Sequence, residues 1–375
     1  MISPEQKTIG VYIHIPFCIS KCNYCDFLSF PASEKVQERY MHALLRELDF
    51  VFTRHPKYQA RTVFIGGGTP SVVAEGWIRQ IMERIPGDKQ ECTIEVNPGT
   101  VTGERLAGYR RAGLNRLSIG LQSADDRQLK VLGRIHQWKD FMTTFTQARE
   151  AGFTNINIDL MSALPGQSLS SWQDTLEKAA ALAPEHISAY SLIIEEGTPF
   201  YESCPDLPDE EEERKMYYAT DDFLKKQGYE RYEISNYARP GFACRHNIGY
   251  WERQSYLGFG LGAASLMDNI RWKNTSDMEQ YIQGCSHDEI NVAQEIHPLS
   301  AVEQEEEYLF LGMRLCAGVS KDKFRQLFGR EITGIYGPAL KKLEQEGLII
   351  MDDNIRLTER GIDVSNYVLA NFLQD

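Results

Sequence analysis

Strand and helix patterns alternate six times along the first half of this chain, and this alternation limits the folds that it can adopt. Short apolar runs alternate with amphipathic stretches of helical period, such as the one over residues 34–52. Parallel strands joined by helical crossovers produce this order, in either a doubly wound sheet or a barrel. Because six units are too few to close an eight-stranded barrel, the pattern predicts an α/β fold with an open, partial (βα)6 barrel. One predicted strand starts at residue 11, and the others cover residues 62–65, 92–96, 116–122, 155–161 and 186–192.

Polar side chains stand at the carboxyl ends of successive predicted strands. They are Thr69, Glu95, Gln122, Asp159 and Tyr190. In a barrel these ends form one rim, where active sites are built. Each residue alone also fits a helix cap or a surface bridge, but together the carboxylates would suit ribose hydroxyls and an ammonium group. Arg134 lies nearby in the sequence and could pair with a carboxylate through two hydrogen bonds.

Three cysteines lie close together directly after the first predicted strand. Cys18 and Cys22 have three residues between them, and Cys22 and Cys25 have two. Thiolates are soft ligands that suit zinc, copper(I) or the iron of an iron–sulfur cluster. Three ligands on four irons would leave one iron open. A chance cluster of cysteines and a structural zinc site with His14 as fourth ligand are the alternatives, although His14 fits better as a packed strand residue.

The glycine run over residues 66–70 follows the second predicted strand. It lacks the Gly-Lys-Ser/Thr of a phosphate loop, which argues against binding of nucleotide phosphates. A tight turn between strand and helix would explain the glycines. Close approach of the backbone to a ligand is the functional alternative.

Composition excludes several classes of protein. The 375 residues carry a net charge of −13, which argues against non-specific binding to nucleic acid. No apolar run reaches the length of a membrane span, and residues 1–8 show no apolar signal region. Five further cysteines are scattered singly, unlike a disulfide framework. We therefore expect a cytoplasmic protein with reduced thiols.

The sequence changes character near Tyr237, which predicts one domain over residues 1–236 and another over 237–375. The acidic run at 209–213 fits the first turn of a helix. Capping-box patterns at Ser170 and Ser300 predict the start of two further helices. Helices followed by a hairpin over 348–357 predict an α+β, winged-helix-like domain, which we interpret as a packing domain because its wing carries few basic residues. His246 and Trp251 border an aromatic stretch that is either a buried brace between domains or a haem contact.

The cysteine spacing resembles the cluster signature of the radical S-adenosylmethionine (SAM) superfamily, in which SAM chelates the fourth iron of a [4Fe–4S] cluster. The glycine run resembles the stretch of that family that contacts the SAM amino group. Across essentially its whole length the chain resembles the oxygen-independent coproporphyrinogen III oxidase-like family, through the cysteine loop, residues 66–70, 95–98, 120–123, 159–160 and 164–167, and the C-terminal domain. Phe27 replaces the fourth cysteine of the oxidases, and His246-Asn247-Ile248-Gly249-Tyr250-Trp251 matches the HNxxYW motif of the haem chaperone branch.

This resemblance implies a set of site residues and cofactors. The cluster ligands would be Cys18, Cys22 and Cys25, and His246 would be the leading haem ligand. The SAM site or sites would be lined by Tyr12, Tyr24, Gly67, Gly68, Thr69, Glu95, Gln122, Arg134 and Asp159. The implied partners are haem and acceptor haemoproteins, such as those of the respiratory chain, and peripheral membrane contact stays open.

Three functions are compatible with these implied sites. The first is a haem chaperone that carries a SAM-ligated cluster and delivers haem to acceptor proteins. The second is a radical SAM oxidase that decarboxylates coproporphyrinogen III, although Phe27 argues against that activity. The third is a zinc-structured adaptor. The number of SAM molecules, the oligomeric state and covalent or reversible haem attachment are left open by the sequence.

Overall fold

A computed structural model describes residues 6–373, so the predictions for residues 1–5 and 374–375, including most of the N-terminal segment, lie outside it. One twelve-stranded sheet forms the larger part of the molecule, in the spatial order β12-β11-β10-β9-β1-β2-β3-β4-β5-β6-β8-β7. Its strands are β1 (Lys7–Ile15), β2 (Tyr58–Gly67), β3 (Glu91–Val96), β4 (Arg116–Gln122), β5 (Ile156–Ser162), β6 (His186–Ser191), β7 (Glu230–Arg231), β8 (Asn236–Ala238), β9 (Tyr256–Phe259), β10 (Ala264–Met267), β11 (Ile270–Asn274) and β12 (Ala293–Pro298).

Helices connect and cover these strands. In chain order they are α1 (Glu34–Arg54), α2 (Glu75–Arg84), α3 (Gly103–Arg111), α4 (Asp126–Val131), α5 (Trp138–Glu150), α6 (Leu169–Ala181), α7 (Pro199–Ser203), α8 (Glu210–Lys226), α9 (Arg245–Trp251) and α10 (Met278–Gly284). A 3-10 turn over Pro70–Val72 precedes α2. Strands β1 to β6 pair in sequence and all run parallel. The predicted partial (βα)6 barrel is therefore confirmed.

The parallel strands present apolar side chains to the helices and carry most of their buried polar side chains on the barrel interior. Strand β4 shows the alternation: Leu117, Ile119 and Leu121 belong to the main hydrophobic core, whereas Arg116 and Ser118 are buried polar residues between them. Successive side chains of a strand point to opposite faces, so the helix-facing set supplies the core and the other set lines the interior. The interior of this barrel consequently holds buried polar side chains, together with aromatic ones such as Tyr12 and Phe64.

Further strands extend the sheet on both sides of β1 to β6. Strand β9 pairs parallel with β1, and β10 to β12 continue antiparallel from it. At the other end, β8 and β7 add antiparallel to β6. The buried carboxylate of Glu47 on α1 links the first extension to the barrel, because it accepts hydrogen bonds from Gly260 N at 2.9 Å, Asn274 Nδ2 at 2.7 Å and Tyr281 Oη at 2.5 Å. Burial raises the pKa of Glu47 to about 7.

A separate hydrophobic core holds the C-terminal part together. It is built from α11 (Ala301–Gly312), α12 (Lys321–Phe328), α13 (Ile332–Gln345), α14 (Glu359–Asp363), α15 (Ser365–Ala370) and a sheet of β13 (Val319–Ser320), β14 (Ile349–Met351) and β15 (Asn354–Leu357). The hairpin β14–β15 falls where the winged-helix-like pattern placed it. The capping box at Ser300 is confirmed, but the one at Ser170 is wrong, because Ser168 caps α6 by accepting a hydrogen bond from Ser171 N at 3.3 Å.

The large sheet continues across the predicted domain boundary between residues 236 and 237. That boundary falls at the start of β8, and the strands as far as Pro298 belong to the same sheet. Among the described residues, the main hydrophobic core gives way to the C-terminal one later in the sequence than residue 237, since the C-terminal core begins with Tyr308. The division at 236/237 stays a prediction, and the packing places the change of core near α11.

Candidate functional site

A cavity of about 410 Å³ opens at the carboxyl ends of the parallel strands. The residues that line it include Cys18, Cys22, Tyr24, Cys25, Gly67, Gly68, Thr69, Glu95, Gln122, Arg134 and Asp159. The structure thus brings the predicted cluster and SAM residues to one place, apart from Tyr12, which packs deeper in the barrel interior against Phe64 with 6.4 Å between ring centroids. A volume of this size is typical of small-molecule sites.

The three cysteines form one wall of this cavity. All three are free thiols with partial exposure, and Cys25 N donates a hydrogen bond to Cys22 O at 3.2 Å within the loop. Thr69 Oγ1 lies 3.4 Å from Cys18 Sγ and Arg134 Nη1 lies 3.7 Å from Cys22 Sγ. A hydroxyl donor and a cation beside the sulfurs offset the negative charge that thiolates bring. The soft donor set and these partners fit an iron–sulfur cluster.

His14 does not join the cysteines. Its Nε2 lies 2.9 Å from Leu28 O and its Nδ1 lies 3.0 Å from Tyr12 Oη, and burial lowers its pKa. With both ring nitrogens hydrogen-bonded, this imidazole acts as a packed strand residue, as predicted. Within residues 6–373 no three His, Cys, Asp or Glu side chains are arranged to hold a single metal ion.

Another part of the cavity lining carries carboxylates and a backbone N–H donor. Glu95 Oε2 accepts a hydrogen bond from Gly67 N at 3.2 Å. Burial, followed by the charge of Asp159, raises the pKa of Glu95 to about 8, and burial also raises the pKa of Asp159. A cationic ligand would stabilise both carboxylates in their charged form. This part of the lining therefore suits a positively charged small molecule.

Arg134 is held in place at the side of the cavity. Its Nη2 donates to Gly120 O at 2.6 Å and to Asn97 Oδ1 at 2.9 Å, while Asn97 Nδ2 donates to Thr69 Oγ1 at 2.9 Å. Asn97 thus joins two predicted site residues, but sequence reasoning did not select it. The signal was available, because Asn97 directly follows β3. Gln122 adopts a left-handed φ of 69° at a register shift between β4 and β5, and Tyr190 Oη donates to its Oε1 at 3.2 Å.

The HNxxYW segment lies at the opposite end of the barrel. It forms α9, whose first backbone N–H groups are capped by Glu91 at the start of β3: Oε2 accepts from Arg245 N and Oε1 from His246 N, each at 3.0 Å. His246 is buried, and its ring stacks on Phe64 with 5.3 Å between centroids. A carboxylate at a helix N-terminus is favourable, so Glu91 fixes the helix against the sheet.

Both ring nitrogens of His246 have partners in this structure. Its Nδ1 lies 2.9 Å from Thr62 Oγ1 and its Nε2 lies 2.9 Å from Tyr250 Oη. Burial lowers the pKa of His246 to about 3, so the imidazole is neutral. Haem ligation by His246 stays a prediction, and it would require one of these hydrogen bonds to break and the buried ring to become accessible.

A chain of hydrogen bonds crosses the barrel interior between the two ends. Asn157 Nδ2 donates to Asp159 Oδ1 at 2.7 Å, and Asn157 Oδ1 lies 2.6 Å from His186 Nδ1. His186 Nε2 lies 2.9 Å from Tyr232 Oη, which accepts from Cys244 N at 3.3 Å. Asp159 in the cavity is thus connected to the residue that precedes α9.

Comparisons with known proteins agree with this geometry. A model of the radical SAM superfamily matches residues 12–179, and a model of the HemN C-terminal domain matches residues 299–364. Proteins named heme chaperone HemW are 37% identical in Bacillus subtilis, over 97% of this chain and 99% of that protein, and 33% identical in Haemophilus influenzae, over 99% and 100%. A mitochondrial radical S-adenosyl methionine domain-containing protein 1 of Bos taurus is 30% identical over 99% of this chain and 88% of its own.

A solved structure has the same fold along nearly the whole chain. The radical SAM enzyme coproporphyrinogen III oxidase (HemN) from Escherichia coli superposes with a TM-score of 0.85 over 99% of this chain and 91% of that one, at 23% identity. Within residues 6–373 no helix has the length and apolar character needed to cross a bilayer. Fold, family models and near full-length relatives agree, and the chain belongs to the HemW family of the radical SAM superfamily.

Proposed function

We propose that this protein is a haem chaperone, which binds haem, carries a SAM-ligated [4Fe–4S] cluster and delivers haem to acceptor haemoproteins. The observation that carries the proposal is the similarity, over nearly the whole chain, to curated relatives named heme chaperone HemW. The exposed Phe27 beside the cysteine loop supports it, because this position resembles the chaperone branch and not the oxidases.

The cysteine loop would hold the cluster. Cys18, Cys22 and Cys25 supply three thiolates, and the hydroxyl of Thr69 and the guanidinium of Arg134 stand beside two of the sulfurs. A cluster held there would, when reduced, provide the electron for SAM cleavage. The residues of this chain keep that chemistry in a cavity whose side walls are the parallel strands.

The part of the cavity that carries Glu95 and Asp159 would bind SAM. The ammonium and sulfonium charges of SAM suit the carboxylates of Glu95 and Asp159. Without a cationic ligand, burial raises the pKa of both groups. The packing of the chain requires glycine at positions 67 and 68, because a Cβ at Gly67 would lie 2.6 Å from the His14 ring and one at Gly68 would lie 2.8 Å from Phe17 O. Side chains at these two positions would disturb the packing on which this part of the cavity depends.

Haem binding and transfer test the proposal directly. Anaerobically reconstituted protein is titrated with haem while the Soret band is recorded, and the loaded protein is then mixed with an apo-haemoprotein. We expect a saturable Soret change and a second change when haem passes to the acceptor. Absence of saturable haem binding would refute the chaperone function.

The radical SAM enzyme activity needs its own assay. The same reconstituted protein is incubated with SAM, a reductant and coproporphyrinogen III, and products are separated by chromatography. We expect SAM cleavage without protoporphyrinogen. Formation of protoporphyrinogen would show that the chain is an oxidase, and it would contradict the significance that we attach to Phe27. Brown protein with thiolate-to-iron absorbance would dismiss the zinc alternative.

A further inference from the structure

Asn97 links the two side chains that hydrogen-bond to the cysteine sulfurs. Its Oδ1 accepts a hydrogen bond from Arg134 Nη2, and its Nδ2 donates one to Thr69 Oγ1, both at 2.9 Å. Arg134 Nη1 in turn lies 3.7 Å from Cys22 Sγ, and Thr69 Oγ1 lies 3.4 Å from Cys18 Sγ. One amide side chain therefore connects the hydrogen bonds to two of the three predicted cluster ligands.

The charge of Arg134 fixes the direction of each hydrogen bond in this series. A guanidinium only donates, so the Asn97 atom that faces it is the carbonyl oxygen, and the NH2 group faces Thr69. Because Thr69 Oγ1 accepts from that NH2 group, its own proton points elsewhere. The other hydrogen bond of this oxygen among the described residues joins it to Cys18 Sγ. A thiolate bound to iron has no proton and can only accept, so the Thr69 hydroxyl donates to the sulfur.

The surroundings hold these groups in one orientation. Arg134 Nη2 also donates to a backbone carbonyl of β4 at 2.6 Å, and Thr69 is only 3% exposed. The backbone of Asn97 is held separately from its side chain, because its N–H donates to Ser71 Oγ at 3.3 Å and its C=O accepts from Thr100 Oγ1 at 2.6 Å. A substitution of the Asn97 side chain therefore leaves these backbone hydrogen bonds in place.

Hydrogen bonds to the sulfurs of an iron–sulfur cluster affect its reduction potential. Reduction adds one electron to a [4Fe–4S] cluster and breaks no bond, and the sulfurs share the added negative charge. Donors beside the sulfurs stabilise the reduced form, so they raise the potential. A donor that turned away from Cys18 would consequently lower it.

We propose that Asn97 is a positioning residue, which directs the Thr69 hydroxyl and the Arg134 guanidinium at the sulfurs of Cys18 and Cys22 and thereby raises the reduction potential of the cluster. The inference rests on the part of the proposed function in which the cysteine loop holds a [4Fe–4S] cluster, and it does not depend on haem. It gives a role in electron uptake to a residue that acts entirely through its two neighbours.

Asn97→Asp tests the direction of the hydrogen bonds. A carboxylate accepts from Arg134 as the amide does, but it has no NH2 group. It therefore accepts from the Thr69 hydroxyl and draws that proton away from Cys18. Thr69→Val removes the hydroxyl, whereas Thr69→Ser keeps it. The double variant Asn97→Asp/Thr69→Val separates the turned hydroxyl from the direct effect of the added charge.

Asn115→Asp is the matched control. Asn115 also joins two segments, because its Oδ1 accepts from Cys92 N at 2.8 Å and its Nδ2 donates to Gln90 O at 2.9 Å. It directly precedes β4, so it lies at the end of the strand away from the cysteines. The midpoint potential is measured by redox titration of the full-length, cluster-reconstituted protein without SAM, with the reduced cluster followed by electron paramagnetic resonance. Iron and sulfide contents are determined for each variant.

At a fixed potential, Asn97→Asp and Thr69→Val should each lower the ratio of reduced to oxidised cluster by about fivefold, since one hydrogen bond is worth about that factor. Thr69→Ser and Asn115→Asp should match the wild type. Asn97→Asp should have a smaller effect in the Thr69→Val background, because no hydroxyl is left to turn.

An equal effect of Asn97→Asp in both backgrounds would refute the positioning role, because added charge alone acts without Thr69. Should Asn97→Asp not retain its cluster, Thr69→Val decides the question, and a wild-type potential in that variant would refute the inference. Either result would leave the proposed function standing. Wild-type protein that takes up no [4Fe–4S] cluster would instead refute the cluster of the proposed function, and this inference with it.

Discussion

Affinity for SAM should depend on the protonation of Glu95. Burial and the neighbouring Asp159 raise the pKa of this carboxyl to about 8, so the protein without SAM holds it mainly protonated at neutral pH. A ligand that carries an ammonium and a sulfonium charge binds the carboxylate form. Below the raised pKa, SAM binding must therefore release a proton, and each pH unit costs about a factor of ten in apparent affinity. We expect SAM to bind about tenfold more tightly at about pH 7 than at about pH 6, with the slope flattening near pH 8.

Isothermal titration calorimetry of the reconstituted protein measures this dependence, and buffers of different ionisation enthalpy report the released proton. Glu95→Gln should bind SAM more weakly and with a reduced pH dependence. Asp159→Asn removes the charge that helps to raise the pKa, so it should move the transition to lower pH. Wild-type affinity that is constant between about pH 6 and about pH 8 would refute the reasoning, and so would a Glu95→Gln variant with the wild-type profile.

Three further predictions concern stability and are measured by chemical or thermal unfolding. Glu47→Ala should destabilise the fold by about 3 kcal/mol, because three buried donors lose their acceptor. Glu47→Gln should cost less stability, and equal losses in the two variants would contradict this reasoning. The pKa of His246 is lowered to about 3, so the unfolded chain binds a proton that the folded chain does not, and stability falls as pH drops from about 6.5 toward about 3. His246→Gln should thus be less stable than the wild type near pH 7, with a difference that shrinks in acid, and a constant difference would argue against burial of a neutral ring. Gly67→Ala should cost about 2 kcal/mol because φ is 111° and the new Cβ would meet the His14 ring, whereas Gly76→Ala on α2 meets no atom within 4 Å and should be neutral or stabilising.

Local sequence patterns predicted the elements of the barrel well. The strand predicted over residues 116–122 coincides with β4, and the helix predicted from residue 34 begins there as α1. Successive side chains of a strand point to opposite faces, so a strand with one buried face shows alternating apolar and polar residues. This pattern can be read from adjacent positions in the sequence. The expectation that polar residues at strand ends lie together also agrees with the structure for Glu95, Gln122 and Asp159, which line one cavity. The carboxyl ends of parallel strands meet at one edge of the sheet.

Relationships between distant segments are harder to predict from sequence. The boundary placed at 236/237 follows a change in sequence character and stays a prediction, while hydrogen bonding between distant strands continues the sheet to Pro298. Asn97 was not selected, since its value comes from lying between Thr69 and Arg134. Neither the pairing of these distant strands nor the position of Asn97 between two other side chains can be read from the residues nearby in the sequence.

The sequence by itself determined the six parallel units and the three thiols on one loop, because periodicity and spacing express local geometry. Only the tertiary structure decided that the HNxxYW helix caps the end of the barrel away from the cysteines, held by Glu91 across 155 positions of sequence. It also decided that Phe27 and Ile193 border one opening. Curvature of the sheet brings the segments after β1 and β6 together, and that curvature arises from the packing of all the strands and helices at once.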